Sequence, residues 1–137
     1  MPLDPSLAIL VVDDEDTVRT LLLSVLQGLG FTDVAQASEG EAALALLRAR
    51  PFALVISDLM MEPMSGLQLL REVRADPGLR AVRFMMMTAS LTSEGAIAAK
   101  RAGVDTYLIK PFTPRMLGAR IREVCGEAAA RLPAAGS

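Results

Sequence analysis

Five times along the chain a short apolar run gives way to a longer stretch whose apolar residues recur at helical spacing. Runs such as LAILVV (7–12), FALVIS (52–57) and VRFMMMTA (82–89) are nearly apolar throughout, without the alternation of a strand that has one wet face. Strands of that kind are buried on both sides. When helices separate them, the sheet is parallel and covered on both faces. The remaining strands are expected at 33–37 and 106–109, and the helices at 17–30, 39–50, 65–76, 93–103 and 113–132. In the first helix Val18, Leu22, Val25, Leu26 and Leu29 share one face, and Gly28 and Gly30 supply stop signals. Thr113 is placed to cap the last helix, with Pro114 in its first position. The expected architecture is an α/β, doubly wound sheet of five parallel strands in a single domain, residues 1–130. A short tail, 131–137, is left, and no output domain is expected.

What the chain lacks narrows its chemistry. It contains no histidine and a single cysteine, Cys125. A Ser-His-Asp or Cys-His catalytic set is excluded, and so is a zinc site built from histidine or several thiolates. Cys125 reads as an inert packing residue of the last helix. The net charge is -2, from 14 basic and 16 acidic residues, which gives no basic face for nucleic acid. No apolar run approaches the roughly 20 residues that span a bilayer, and no secretory signal is visible, so a cytoplasmic protein without membrane contact is expected.

In open parallel sheets the working site lies beyond the carboxyl ends of the strands. The first strand ends in Asp13-Asp14, the third in Asp58, the fourth in Thr88-Ala89 and the fifth in Lys110-Pro111. Three carboxylates on one rim repel. A pair at about 4 Å costs roughly 4 kcal/mol at an effective dielectric near 20. With oxygen donors only, the fitting counter-ion is hard, Mg²⁺ before Mn²⁺ or Ca²⁺. A lysine and a threonine hydroxyl on the same rim suit phosphoryl oxygens, and a carboxylate can accept phosphoryl as an acyl phosphate. Asp58 is the candidate acceptor, with Asp13 and Asp14 on the metal.

Asp13-Asp14, Asp58, Thr88-Ala89 and Lys110-Pro111-Phe112 together resemble the receiver domain of bacterial two-component response regulators, in particular the single-domain chemotaxis regulators of the CheY type. Stretches such as ILVVDDE, VISDLMM and AGVDTYLIKPF add to the likeness, which covers about residues 7 to 126. The resemblance implies the flavodoxin-like strand order 2-1-3-4-5. It implies Mg²⁺ on Asp13, Asp14, Asp58 and the Met60 carbonyl. It further implies phosphoryl transfer to Asp58 from a sensor histidine kinase or a histidine phosphotransfer protein. Thr88 and Lys110 would contact the phosphoryl group, and Thr88 with Tyr107 would form the switch. A cis Lys110–Pro111 bond is implied as well. The chain would be a monomeric phosphoprotein that catalyses only its own phosphoryl transfer and dephosphorylation, not an enzyme acting on other substrates. Its output would be an effector such as the flagellar motor switch protein. Most members carry proline at the position of Glu62, whereas here the pair is Glu62-Pro63. Met60 and Ser90 stand where the family tunes phosphoryl lifetime.

Plainer readings exist for each part. Asp16 could cap a helix beside an ordinary polar strand end, Asp58 could cap a turn, and Lys110 could simply reach to solvent. Met85, Met86 and Met87 read as adaptable core. Met60, Met61 and Met64 read as core before contact surface, Glu62 as solvated, and Lys100 and Arg101 as a solvated face. Rival functions are a phosphorelay intermediate serving a histidine phosphotransfer protein, an aspartyl-phosphate phosphatase, and an inactive receiver used only for interaction.

Overall fold

The computed structural model describes residues 4–126. The order of elements is β1 (Ala8–Val12), α1 (Asp16–Gly28), β2 (Asp33–Ala37), α2 (Gly40–Ala49), β3 (Leu54–Asp58), α3 (Gly66–Ala75), β4 (Arg83–Thr88), α4 (Glu94–Ala102), β5 (Thr106–Ile109) and α5 (Pro114–Ile121). A π-helical turn, Arg122–Gly126, continues α5. The rest of the helix expected to residue 132, and the tail, lie outside the described residues. The five strands are parallel and ordered β2-β1-β3-β4-β5.

Both sheet faces are covered, which is why the strands show no polar alternation. Leu10, Val12, Val55, Phe84 and Met86 meet α2, α3 and α4 in one apolar cluster. Ile9, Val11, Leu54, Ile56, Met85 and Met87 point the other way, against Leu22 and Leu26 of α1 and Leu117 and Ile121 of α5. The three consecutive methionines of β4 are fully buried, as expected. Leu29, expected on the apolar face of α1, is instead 37% exposed, because the helix ends at Gly28 and Leu29 is its C-cap.

Local chemistry sets the helix ends. Ser65 and Gln68 form a reciprocal capping box at the start of α3. The Ser93 and Thr113 hydroxyls accept the amides of Ala96 and Met116 at α4 and α5. Gly103 ends α4 in a left-handed conformation, φ 99°. Asp16 is the first residue of α1 and not its cap. Glu15 holds the cap position without a side-chain bond, so the capping alternative for Asp16 fails. Among the described residues no helix is long and apolar enough to cross a membrane.

Candidate phosphoacceptor and metal site

Register brings the acidic residues together. β1 lies between β2 and β3, so the chain leaves the sheet in opposite directions on either side of it and opens a crevice at the carboxyl ends. Val12 pairs with Ser57, which sets Asp13 beside Asp58. Thr88 pairs with Ile109, which sets Lys110 one step further along the same rim. One carboxylate oxygen each from Asp13, Asp14 and Asp58 lie within 4.8 Å of one another.

The three carboxylates are held differently. Asp58 is the last residue of β3 and buried, and its Oδ1 accepts from Lys110 Nζ at 3.0 Å. Asp14 is exposed and accepts the Glu62 amide on Oδ2 at 3.2 Å. Asp13 is fully buried. Its Oδ1 accepts the Glu15 amide at 2.9 Å, while Oδ2 is buried without a partner among the described residues. Burial pushes the Asp13 carboxyl above its usual range. The Glu15 amide opposes this, and the nearby Asp58 adds to it. A buried carboxylate oxygen with no donor is costly. A cation would remove that cost and screen the mutual repulsion. The donor set, oxygens without nitrogen or sulfur, fits Mg²⁺.

Not every expected residue is joined to this cluster. The Thr88 hydroxyl is buried but donates to the Ser90 carbonyl at 3.0 Å and accepts the Ser90 amide at 3.2 Å. The Tyr107 ring is half-buried against the α2–α4 side of the sheet, and its hydroxyl donates to the Ala96 carbonyl of α4. The Lys110–Pro111 bond is cis, and so is Glu62–Pro63. Glu62 is solvated, as read. The loop methionines divide: Met61 is buried and Met64 partly so, but Met60 is 78% exposed, against the reading of all three as core. Met60 lies at the turn out of β3, where its neighbour Met61 takes the inward place. An open cavity of about 340 Å³ lined by Asp14, Met60, Met61, Glu62, Pro63, Ser65 and Gln68 adjoins the carboxylates.

Two residues that the sequence reading passed over shape the site. Arg19 of α1 donates from Nη1 to the Asp13 carbonyl at 2.6 Å. The only hint in the sequence is a charge set between Val18 and Leu22 on an otherwise apolar helix flank. Gly66 opens α3 directly against the Asp58 main chain, with its amide on the Leu59 carbonyl at 3.0 Å. A glycine one residue past a serine cap gives little sign of that approach.

The response regulator receiver domain profile matches residues 9–122. The chain is 40% identical over 116 residues to the chemotaxis protein CheY of Pseudomonas aeruginosa, covering 85% of this chain and 94% of the relative. Among solved structures, the chemotaxis protein CheY4 of Vibrio cholerae superposes with a TM-score of 0.81 at 29% identity, covering 87% of this chain and 98% of that one. The receiver domain of a sensor histidine kinase from Pseudomonas aeruginosa, solved with a magnesium ion in its active-site cleft, gives a TM-score of 0.81 at 25% identity over 88% of this chain and 98% of that one. With the fold, the strand order and a match across most of its length in agreement, the chain belongs to the response regulator receiver domain family, among its CheY-like members.

Proposed function

We propose that Asp58 accepts a phosphoryl group from the phosphohistidine of a sensor kinase or a histidine phosphotransfer protein, and that the resulting charge switches partner binding. A new P–O bond to Asp58 forms as the donor's P–N bond breaks and the imidazole leaves. The observation that carries this reading is the meeting of three carboxylates with Lys110 at one rim, Lys110 standing 3.0 Å from Asp58. Lys110 is placed to follow the charge from the carboxylate onto a phosphoryl oxygen. The Thr88 hydroxyl, now on the Ser90 backbone, would turn to a second oxygen. Asp13, Asp14, Asp58 and the Met60 carbonyl would hold Mg²⁺, which when bound supplies charge neutralisation at the transferring group.

Adding a group of charge near −2 biases a two-state element. The element proposed here is Thr88 with Tyr107, since the Tyr107 hydroxyl is tied to α4. Ile97, Ile109 and Met116 are exposed on α4, β5 and α5, next to that switch, and form the proposed output face. The chain would work in the cytoplasm, as a monomer, with residues 1–130 as the receiver unit. The names of its chemotaxis relatives support an effector such as a flagellar motor switch protein.

Acetyl phosphate with Mg²⁺ is expected to add one phosphoryl mass to the wild type and none to Asp58→Asn. No gain in the wild type would overturn the acceptor assignment. Output is tested by loading the site with beryllofluoride and Mg²⁺ and capturing partners beside the untreated protein. Motor-switch components enriched only after activation support the effector role. A phosphotransfer protein bound regardless of activation would assign the chain to a phosphorelay instead.

A further inference from the structure

We propose that Arg19 is a positioning residue for the cation site, fixing the Asp13 main chain so that one oxygen of its carboxylate stays uncommitted. This deepens the reading of the site given above and rests on it.

The Arg19 side chain is 13% exposed, although it is the longest charged side chain of α1. Its donors go to three different elements. Nη1 reaches the Asp13 carbonyl at the end of β1 at 2.6 Å, Nε reaches Gln36 Oε1 on β2 at 3.0 Å, and Nη2 reaches the Asp16 carboxylate in the first turn of α1. A planar fork can serve three acceptors in one plane, and a lysine ammonium on a flexible stem cannot. Asp13 is consequently held at its amide by the Ala37 carbonyl at 3.2 Å, at its carbonyl by Arg19, and at Oδ1 by Glu15. Only Oδ2 is left without a partner among the described residues, on a carboxylate that has one oxygen within 4.8 Å of oxygens of Asp14 and Asp58.

The charge on Arg19 makes the idea testable by sign. A cation beside an acidic pocket opposes Mg²⁺ by Coulomb repulsion, so removing it should tighten metal binding if charge were all that mattered. Losing the fork should weaken binding, because groups that orient a metal ligand typically carry about 10-fold to 100-fold in affinity. The two effects have opposite direction.

The experiment is a Mg²⁺ titration of the full chain at fixed ionic strength, followed by backbone amide NMR shifts, for the wild type, Arg19→Ala, Arg19→Lys and Arg74→Ala. Arg74 is an equally engaged arginine at the opposite rim, bonded to Gly103, Arg80, Val82 and Asp105. Arg19→Ala and Arg19→Lys are expected to bind Mg²⁺ about 10-fold more weakly. Arg74→Ala is expected to melt lower and keep wild-type affinity, which separates positioning from stability. Wild-type or tighter affinity in Arg19→Ala overturns the proposal. If that variant does not fold, Arg19→Lys decides by the same criterion, since it keeps the charge and loses the fork. Absence of Mg²⁺ binding by the wild type itself would instead overturn the reading of the site.

Discussion

A side chain at position 66 would meet the main chain of the proposed phosphoacceptor. An added Cβ would stand 2.2 Å from the Asp58 carbonyl oxygen and 2.8 Å from the Met86 sulfur. The sulfur sits on a flexible side chain and can yield, but the carbonyl belongs to β3 and cannot move without disturbing the register that sets Asp58 beside Asp13. Gly66→Ala is therefore expected to lower stability by about 1–3 kcal/mol, the usual range for overpacking. The check is a lower urea midpoint with an unchanged slope. At the same scale, the contrast between Asp13 and Asp58 is one of partners. The Asp58 carboxylate has Lys110, whereas the Asp13 carboxylate has one backbone amide on Oδ1 and, among the described residues, no donor on Oδ2.

Among the elements, the division of labour runs between the two rims of the sheet. The carboxyl rim gathers repelling carboxylates and the one uncommitted oxygen of Asp13. The opposite rim is tied down by Arg74 at the end of α3, which bonds the Arg80 and Val82 carbonyls before β4, the Gly103 carbonyl after α4, and Asp105. Asp105 in turn accepts the Phe84 amide at 2.8 Å. Breaking a well-buried ion pair costs about 3–5 kcal/mol. Arg74 is 19% exposed and Asp105 25%, so the loss in Arg74→Ala should fall below that range, at about 2 kcal/mol after screening. That is why it serves as a stability control for Arg19. α4 is joined to β5 through the Tyr107 hydroxyl, and that contact lies in the α4–β5–α5 region that the proposed switch would remodel.

At the scale of the whole molecule, a buried thiol and a half-buried phenol make stability fall at alkaline pH. Burial pushes the Cys125 thiol up to about 11 from 9.0, and it pushes the Tyr107 phenol up as well. Both groups hold their protons more tightly folded than unfolded. Their contribution is fully present below the unfolded value and is lost as pH rises through the folded one. The Cys125 contribution is expected to fall between about pH 9 and pH 11, by at most about 1.4 kcal/mol per pH unit, with a smaller loss from the half-exposed Tyr107 beginning near pH 10. Urea melts across that window check this, and Cys125→Ala should make the decline shallower. An unchanged decline in that variant would remove Cys125 from the account. The same burial keeps the thiol protonated near neutrality, in line with the reading of Cys125 as a packing residue.

The fold class was legible because buried parallel strands must be apolar on both faces, and the chain writes that requirement out in LAILVV, FALVIS and VRFMMMTA. The helix starts at Ser65, Ser93 and Thr113 were legible too, since capping is local chemistry. Asp13, Asp14, Asp58 and Lys110 could be grouped from the ends of the strands alone, because residues at the carboxyl ends of a parallel sheet share a rim whatever the loops do. The tertiary structure alone decided what each of these residues touches. Thr88 bonds to Ser90 rather than to the acidic cluster, Met60 turns outward while Met61 turns inward, and Asp13 keeps one oxygen without a partner. Arg19 and Gly66 acquire their roles only when α1 and α3 are brought against strands distant in sequence. Local patterns record which face a residue prefers. Hydrogen-bond partners and close backbone approaches depend on distances that exist only after the sheet has formed.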